Sequence, residues 1–269
     1  MYMSRFISFL TLGLFFISML SGLIIVFAYH PSTAFQSVQG IKYLLPYGDF
    51  FRQLHYFSSE IFTISLLSHI VFELLKNKIK TTSSSWNYSI LGFIAVIILM
   101  FSGFVLKGDL SANGAAQVAF NLIKDTPFLK ELFPLFHDND VFYYKFFIWH
   151  ILFLPLLLGY AIYKHIDTLH VKVEYLSIAI GASIVTMFIF TMPADIIKGE
   201  KVQSLTSPWF FKGAENLLLR SWSPLSVNIA LITPFILLII YFYSSYKYTI
   251  KALLLLWLLL YMYASVMGS

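Results

Sequence analysis

The chain has 269 residues, 59% of them hydrophobic and only 12% charged, with a net charge of +5. A soluble domain carries about 25% charged residues, so this composition, with a mean hydropathy of +0.79, belongs to an integral membrane protein. Cysteine is absent, which excludes disulfides, thiolate-bound iron–sulfur clusters and thioether-attached haem within the chain; the basic residues sit mostly in short loops, so the charge is no nucleic-acid signal.

Seven apolar stretches approach the ~20 residues that a bilayer requires, which predicts an all-α integral membrane fold of about seven transmembrane helices. In chain order they cover residues 5–29, 51–75, 86–106, 144–163, 173–192, 225–243 and 250–267, labelled spans A to G. The first is too long, and too closely followed by others, to be a cleaved signal peptide. The C–D connection, 107–141, is too long for a simple turn, and its stretches 115–123 and 128–135 are candidate interfacial amphipathic helices. The E–F connection, 193–224, holds a second cluster of that kind. The short B–C, D–E and F–G loops carry Lys76, Lys78, Lys80, Lys164, Lys172, Lys247 and Lys251. The positive-inside rule puts them, with Arg5, on the cytoplasmic side. The N-terminus is then cytoplasmic and the C-terminus external.

Four histidines stand out in or beside these spans. His55 and His69 are 14 residues apart on span B, and His150 on span D is 15 residues before His165, which lies two residues past the end of that span. At 1.5 Å per residue each pair spans roughly 21–22 Å. At about 100° per residue, both members of a pair fall on nearly the same face. Two such helices side by side offer two bis-histidine sites, one above the other, with His55 and His150 on the outer side and His69 and His165 on the cytoplasmic side. Ionisable groups inside a bilayer are expensive and usually functional. Neutral imidazoles can fill both axial positions of a six-coordinate haem, which suits electron transfer; a proton or metal relay is the alternative.

Two cations and two sets of small residues accompany the histidines. Arg52 precedes His55 by three residues and Lys145 precedes His150 by five, where haem propionates would need cationic partners; snorkelling to the interface is the plainer explanation. Ser8 and Gly22 on span A are 14 apart, as are Ser89 and Gly103 on span C. That spacing matches the histidines and suits a flat macrocycle lying against a helix, although small residues also serve ordinary helix packing.

With these residues in place, the chain resembles the cytochrome b family of the respiratory bc complex and its photosynthetic b/f counterpart. Ser21-Gly22-Leu23 through Tyr29-His30-Pro31 resembles the family's A–B passage, and Arg52-Gln53-Leu54-His55 its haem-ligand motif. Trp86-Asn87 and Ser102-Gly103-Phe104-Val105-Leu106 are similar to the ends of its third helix. Lys145-Phe146-Phe147-Ile148-Trp149-His150 is similar to its Arg-Phe-x-x-x-His pattern, with Lys for Arg. Pro193-Ala194-Asp195 and Ser207-Pro208-Trp209-Phe210-Phe211 through Arg220 resemble the loop that shapes the outer quinol site. The resemblance implies two b-type haems, quinone or quinol as substrate, and Rieske-type iron–sulfur or c-type cytochrome partners. It further implies a homodimer within a complex, set in lipid in a bacterial inner membrane.

The departures from the family are specific. Ser8 and Ser89 stand where the family has the first glycine of each pair. The family's Pro-Glu-Trp-Tyr reads Ser207-Pro208-Trp209-Phe210 here, without the glutamate. Quinol oxidation needs a base within reach of the hydroxyl. Glu215 is the first candidate, with Asp195 and Asp109 behind it, and Trp209 marks the same site. On the cytoplasmic side, His170 lies five residues after His165, at the offset of a quinone-contacting histidine in the respiratory branch.

The reading is a di-haem cytochrome b subunit of a membrane quinol oxidoreductase. Residues 1–170 form a four-helix di-haem domain (spans A–D), and residues 171–269 a three-helix domain that completes the quinone site (spans E–G). A non-bifurcating haem conduit between the quinone pool and a periplasmic redox enzyme is the runner-up. A transporter with proton-relaying histidines is the alternative from another class; it predicts no haem spectrum.

Overall fold

The computed structural model describes residues 2–76, 82–127, 131, 141–166, 173–196 and 209–266. His170, Ser207, Pro208 and nearly all of the candidate helix at 128–135 lie outside the described residues. The described residues are helical wherever the apolar periodicity demands it. In chain order the helices are α1 (Tyr2–Val26), α2 (Ala34–Tyr43), α3 (Gly48–Leu75), α4 (Ser83–Val105) and α5 (Leu110–Lys124). A long helix follows, in which α6 (Phe142–Ile148) passes through a π turn (Trp149–Phe153) into α7 (Leu154–His165). The rest are α8 (Val173–Ile189), α9 (Trp209–Leu219), α10 (Pro224–Tyr243) and α11 (Lys247–Val266).

Six helices among the described residues are long and apolar enough to cross a membrane, matching spans A, B, C, D, F and G. Span E is realised as α8, which is apolar but has 17 residues. At 1.5 Å per residue it reaches about 26 Å, short of the ~30 Å hydrocarbon core. The protein is thus an all-α, multi-pass membrane protein.

The chain forms two compact units: residues 1–100 with 148–194, and residues 101–147 with 195–269. The α4 helix and the α6–α7 helix each contribute to both units, and α8 belongs with the histidine-bearing helices. The physical reason lies in the packing of α8. The Tyr175 ring stacks on Phe9 at 4.8 Å and tilts against Phe6 at 6.0 Å. At Gly13 an added Cβ would stand 3.0 Å from the Tyr175 carbonyl oxygen and 3.2 Å from Ala179 Cβ.

In the first unit, α1 and α3 run antiparallel and are pinned along their length. Phe15 meets Phe62 at 5.9 Å, Ser18 bonds Ser59 at 2.6 Å, and Thr11 bonds Ser65 at 2.6 Å. Hydroxyl pairs of this kind satisfy one another where no water is at hand, a common device between membrane helices. The core of the unit is Leu14, Ile17, Phe62, Ala95, Val96, Leu158 and Ala179. Phe62 lies seven residues from both His55 and His69, and Leu158 falls between His150 and His165. The apolar centre thus lies between the two histidine levels and joins five helices, α1, α3, α4, α7 and α8, at that depth.

In the second unit, α9 and α10 are tied to α11. Asn216 donates to the Ala264 carbonyl at 2.8 Å, the Tyr261 hydroxyl to the Phe210 carbonyl at 2.6 Å, and the Trp257 indole to the Ala230 carbonyl at 2.8 Å. Asn228 on α10 reaches the end of α5, donating to Thr126 Oγ1 at 2.6 Å and to the Leu122 carbonyl at 2.9 Å.

Candidate functional site: two facing histidine pairs

The first unit brings the four histidines together as two facing pairs. The His55 and His150 rings stand 6.2 Å apart, centre to centre, with their planes at 86°. The His69 and His165 rings repeat this at 6.2 Å and 83°. With a metal–imidazole bond of about 2 Å and about 1.1 Å from ring nitrogen to ring centre, two collinear ligands put their ring centres about 6.2 Å apart. Each pair therefore stands at the separation that two imidazoles would have if they held one iron between them. A bare metal ion takes three or four protein ligands. Among the described residues no cluster of three or more His, Cys, Asp or Glu offers such a site. Two opposed imidazoles suit a metal whose equatorial positions come from a macrocycle.

Hydrogen bonds fix the tautomers of His55 and His165. His55 Nδ1 lies 2.8 Å from the Ser18 carbonyl oxygen, which can only accept. The ring proton is therefore on Nδ1, and Nε2 keeps its lone pair. Ser89 Oγ donates to the Ser85 carbonyl at 2.9 Å, so it accepts from His165 Nδ1 at 2.7 Å. Ser85 Oγ donates to the His165 carbonyl at 2.8 Å and stands 3.1 Å from the same ring nitrogen. Ser8 Oγ lies 3.2 Å from His69 Nδ1, and His150 bonds the Leu99 backbone. Every one of the four rings thus has an outer partner of the sort that orients metal-bound histidine.

The unequal spacings, 14 and 15 residues, are reconciled by the π turn. Pro155 has no N–H for the Ile151 carbonyl, and its ring crowds that carbonyl, so a regular turn there is disfavoured. The helix widens over Trp149–Phe153, where the Leu154 N–H reaches back five residues to the Trp149 carbonyl. A π turn absorbs one extra residue. The 15-residue step therefore delivers the same rotation and rise as the 14-residue step on α3, and the two pairs come out alike.

The small residues have two roles. An added Cβ at Gly22 would lie 2.8 Å from His55 Cε1 and 3.0 Å from its Nδ1, so the His55 ring occupies the space a side chain would fill. Ser8 and Ser89, expected as small surfaces, act through their hydroxyls on His69 and His165. Gly103 is half-buried in the last turn of α4. Arg52 is 8% exposed, one turn before His55 on α3. Lys145 is half-buried in α6. Ser85 and the π turn went unnoticed in the sequence; Ser85, one helical turn before Ser89, and Pro155, five residues after His150, were the available signals.

The nominated carboxylates all lie in the second unit, in different settings. Asp109 is 2% exposed and caps α5, accepting from the Ala112 N–H at 2.8 Å. Its other oxygen accepts from the Ile196 N–H at 3.0 Å and pairs with Lys107 at 2.9 Å. Lys107 also reaches Asp195 at 3.6 Å. These contacts tie the start of the C–D connection to the Pro193-Ala194-Asp195 segment. Glu215 is half-buried on α9, which Trp209 begins at 44% exposure. An added Cβ at Gly213 would lie 2.8 Å from Ser265 Oγ and Tyr261 Cζ, so this glycine lets α9 press against α11 beside Glu215.

Comparison with known proteins agrees with this geometry. Cytochrome b from Yarrowia lipolytica (strain CLIB 122 / E 150) is 30% identical over 148 residues, 52% of this chain and 38% of the relative. Cytochrome b from Rickettsia prowazekii (strain Madrid E) is 27% identical over 162 residues, 57% of this chain and 40% of the relative. The chain thus spans less than half the length of the curated relatives it matches. A solved structure described as "Hyperthermophilic respiratory Complex III" shares the fold, with a TM-score of 0.70 at 17% identity, over 98% of this chain and 83% of that one. The family model described as Cytochrome b/b6/petB matches residues 2–173, which include all four histidines. Matched over more than half its length, this chain belongs to the cytochrome b family of electron-transport proteins, whose membership implies b-type haem.

Proposed function

We propose that the chain is the di-haem cytochrome b subunit of a membrane quinol oxidoreductase. His55 and His150 would hold one b-type haem near the outer face, and His69 and His165 a second near the cytoplasmic face. The observation that carries this reading is the duplicated pair: two sets of rings at the same 6.2 Å separation, each ring with an outer hydrogen-bond partner. Bound haem supplies a reversible one-electron couple at iron. The chain's residues supply the rest. The histidines would set the spacing of the two centres along the helices, Arg52 and Lys145 would supply cationic partners for propionates, Gly22 makes room for the His55 ring, and Gly103 would lie beside a macrocycle.

Quinol oxidation releases two electrons and two protons, so the outer site needs a proton acceptor. Glu215 is the first choice, with Asp195 and Asp109 behind it. Both oxygens of Asp109 already serve the cap, the Ile196 N–H and Lys107, which supports Glu215 in that order. Trp209 would border the quinol and His170 a quinone on the cytoplasmic side. Residues 1–170 would carry the haems and 171–269 the rest of the quinone-facing surface. A Rieske-type or c-type partner would take the second electron, within a dimeric complex in a bacterial inner membrane, N-terminus inside and C-terminus outside. A redox-titrated absorption spectrum of the purified protein tests the core. Two b-type waves are expected, and the lack of a Soret band refutes it.

One observation favours a second reading. The Ser207-Pro208-Trp209-Phe210 string lacks the family's glutamate, which suits a non-bifurcating conduit from the quinone pool to a periplasmic redox enzyme. Glu215→Gln separates the two. Loss of quinol oxidation with both haem waves intact supports the first reading, and unaltered turnover supports the conduit.

A further inference from the structure

The two histidine pairs are alike in geometry but differ in what holds their outer nitrogens. At the first pair, both partners are backbone groups: His55 Nδ1 donates to the Ser18 carbonyl at 2.8 Å, and His150 bonds the Leu99 backbone. At the second pair the nearest partners are side-chain hydroxyls: Ser8 Oγ on α1 faces His69 Nδ1 at 3.2 Å, and Ser89 Oγ on α4 accepts from His165 Nδ1 at 2.7 Å. Ser85, one turn before Ser89, stands behind it, with its Oγ at 3.1 Å and its carbonyl oxygen at 3.2 Å from the same nitrogen.

We propose that Ser8 and Ser89, with Ser85 as reserve, are positioning residues that set the potential of the His69/His165 centre apart from that of the His55/His150 centre. The physical chain is short. A proton shared from Nδ1 toward a good acceptor makes the imidazole a stronger donor to its metal. Stronger donation favours the oxidised iron and lowers its potential, so outer hydrogen bonding is a tuning element at such centres. A carbonyl oxygen is a better acceptor than a hydroxyl oxygen. The His69/His165 centre therefore has the less donating ligands and the higher potential. The nearest partners are side chains, which are substitutable, at one level and backbone at the other.

This inference rests on the di-haem reading, and the test keeps the two apart. The purified full-length protein is titrated potentiometrically in parental form and as Ser8→Ala, Ser89→Ala, Ser8→Thr and Ser89→Thr. His69→Leu identifies which b wave belongs to the second pair. Removing the acceptor weakens donation further, so each Ala variant is expected to raise the midpoint of that wave and leave the other in place. Ser89→Ala should shift less than Ser85→Ala/Ser89→Ala, because Ser85 Oγ takes over His165. The Thr variants keep a hydroxyl and are expected to hold the parental midpoint. The low-spin EPR spectrum, which reads the angle between the imidazole planes, should change for the second centre alone. Unchanged midpoints in both Ala variants, a shift confined to the other wave, or Thr variants that move as Ala does would each overturn the proposal. If an Ala variant loses its haem, retention of haem at the parental midpoint by the matching Thr variant supports the proposal, and equal loss in both overturns it. A parental protein with no b wave at all would instead remove the di-haem reading beneath it.

Discussion

Gly22→Ala is the sharpest probe of the first histidine pair. The new carbon would sit 2.8 Å from His55 Cε1 and 3.0 Å from Nδ1. Carbon atoms pack at about 3.5–4.0 Å, so the overlap is about 1 Å. The ring cannot swing away without loss, because its Nδ1 is held by the Ser18 carbonyl, one turn earlier on the same helix as Gly22. Either His55 tilts off the line to His150, or α1 backs away from α3 and strains the Ser18–Ser59 pair. Overpacking of this kind costs about 1–3 kcal/mol, which corresponds to about 5- to 150-fold weaker retention at that level. The assay is a reduced-minus-oxidised difference spectrum, normalised to protein and resolved by redox titration. One of two b waves should fall or shift while the other persists. Gly159→Ala is the control, because a Cβ there meets nothing within 4 Å. Parental amplitude and midpoint for both waves in Gly22→Ala would refute the idea that His55 fills the space beside Gly22.

Other expectations follow from single features. Pro155→Ala returns the missing N–H and lets regular helix compete with the π turn; full regularisation would rotate His150 by about 100° relative to His165, so one b wave should weaken, and an intact spectrum would mean that something other than Pro155 sets the turn. Asp109→Ala removes a cap and leaves the Lys107 charge with Asp195 at 3.6 Å; breaking a buried pair costs about 3–5 kcal/mol, which thermal unfolding in detergent should register, and a loss below about 1 kcal/mol would count against the cluster as a clasp. Asn228→Leu removes the amide that donates to the Leu122 carbonyl and to Thr126 Oγ1, which keep only their bond to each other; a loss of about 0.5–1.5 kcal/mol is expected by the same measurement, with both b waves unchanged because α10 belongs to the other unit.

The helices were legible because a bilayer imposes one rule on every span: some twenty apolar residues with internal hydrogen bonds. Span E met the hydropathy rule but not the length, since its helix ends at Ile189 rather than Met192. The histidine pairs were legible because helical rotation is arithmetic. What arithmetic on a regular helix cannot supply is the correction at Pro155, where one residue is absorbed and 15 becomes equivalent to 14. Ser8 and Ser89 drew notice for their small size, but their hydroxyls make the contacts, and only the facing helices reveal what a hydroxyl meets. Asp109 was nominated for its charge, although an aspartate just before a helical run is first of all a cap. Helix α2 escaped notice because it is short and of mixed polarity, with neither the length nor the hydropathy of a span.

The pairing of α1 with α3 carries a consequence for biogenesis. Ser8 with His69, Phe15 with Phe62, Ser18 with Ser59 and Gly22 with His55 keep one constant antiparallel register. All of these residues lie in the first 75 of the chain. The α1–α3 hairpin alone therefore carries one histidine of each pair, with the groups that orient both. Preceding the α6–α7 helix in the chain, it presents one histidine at each of two levels, held in register by its own hydroxyls. The later α6–α7 helix then meets a template rather than a loose partner, and its π turn is the adjustment by which a strand of different spacing is fitted to a scale already set.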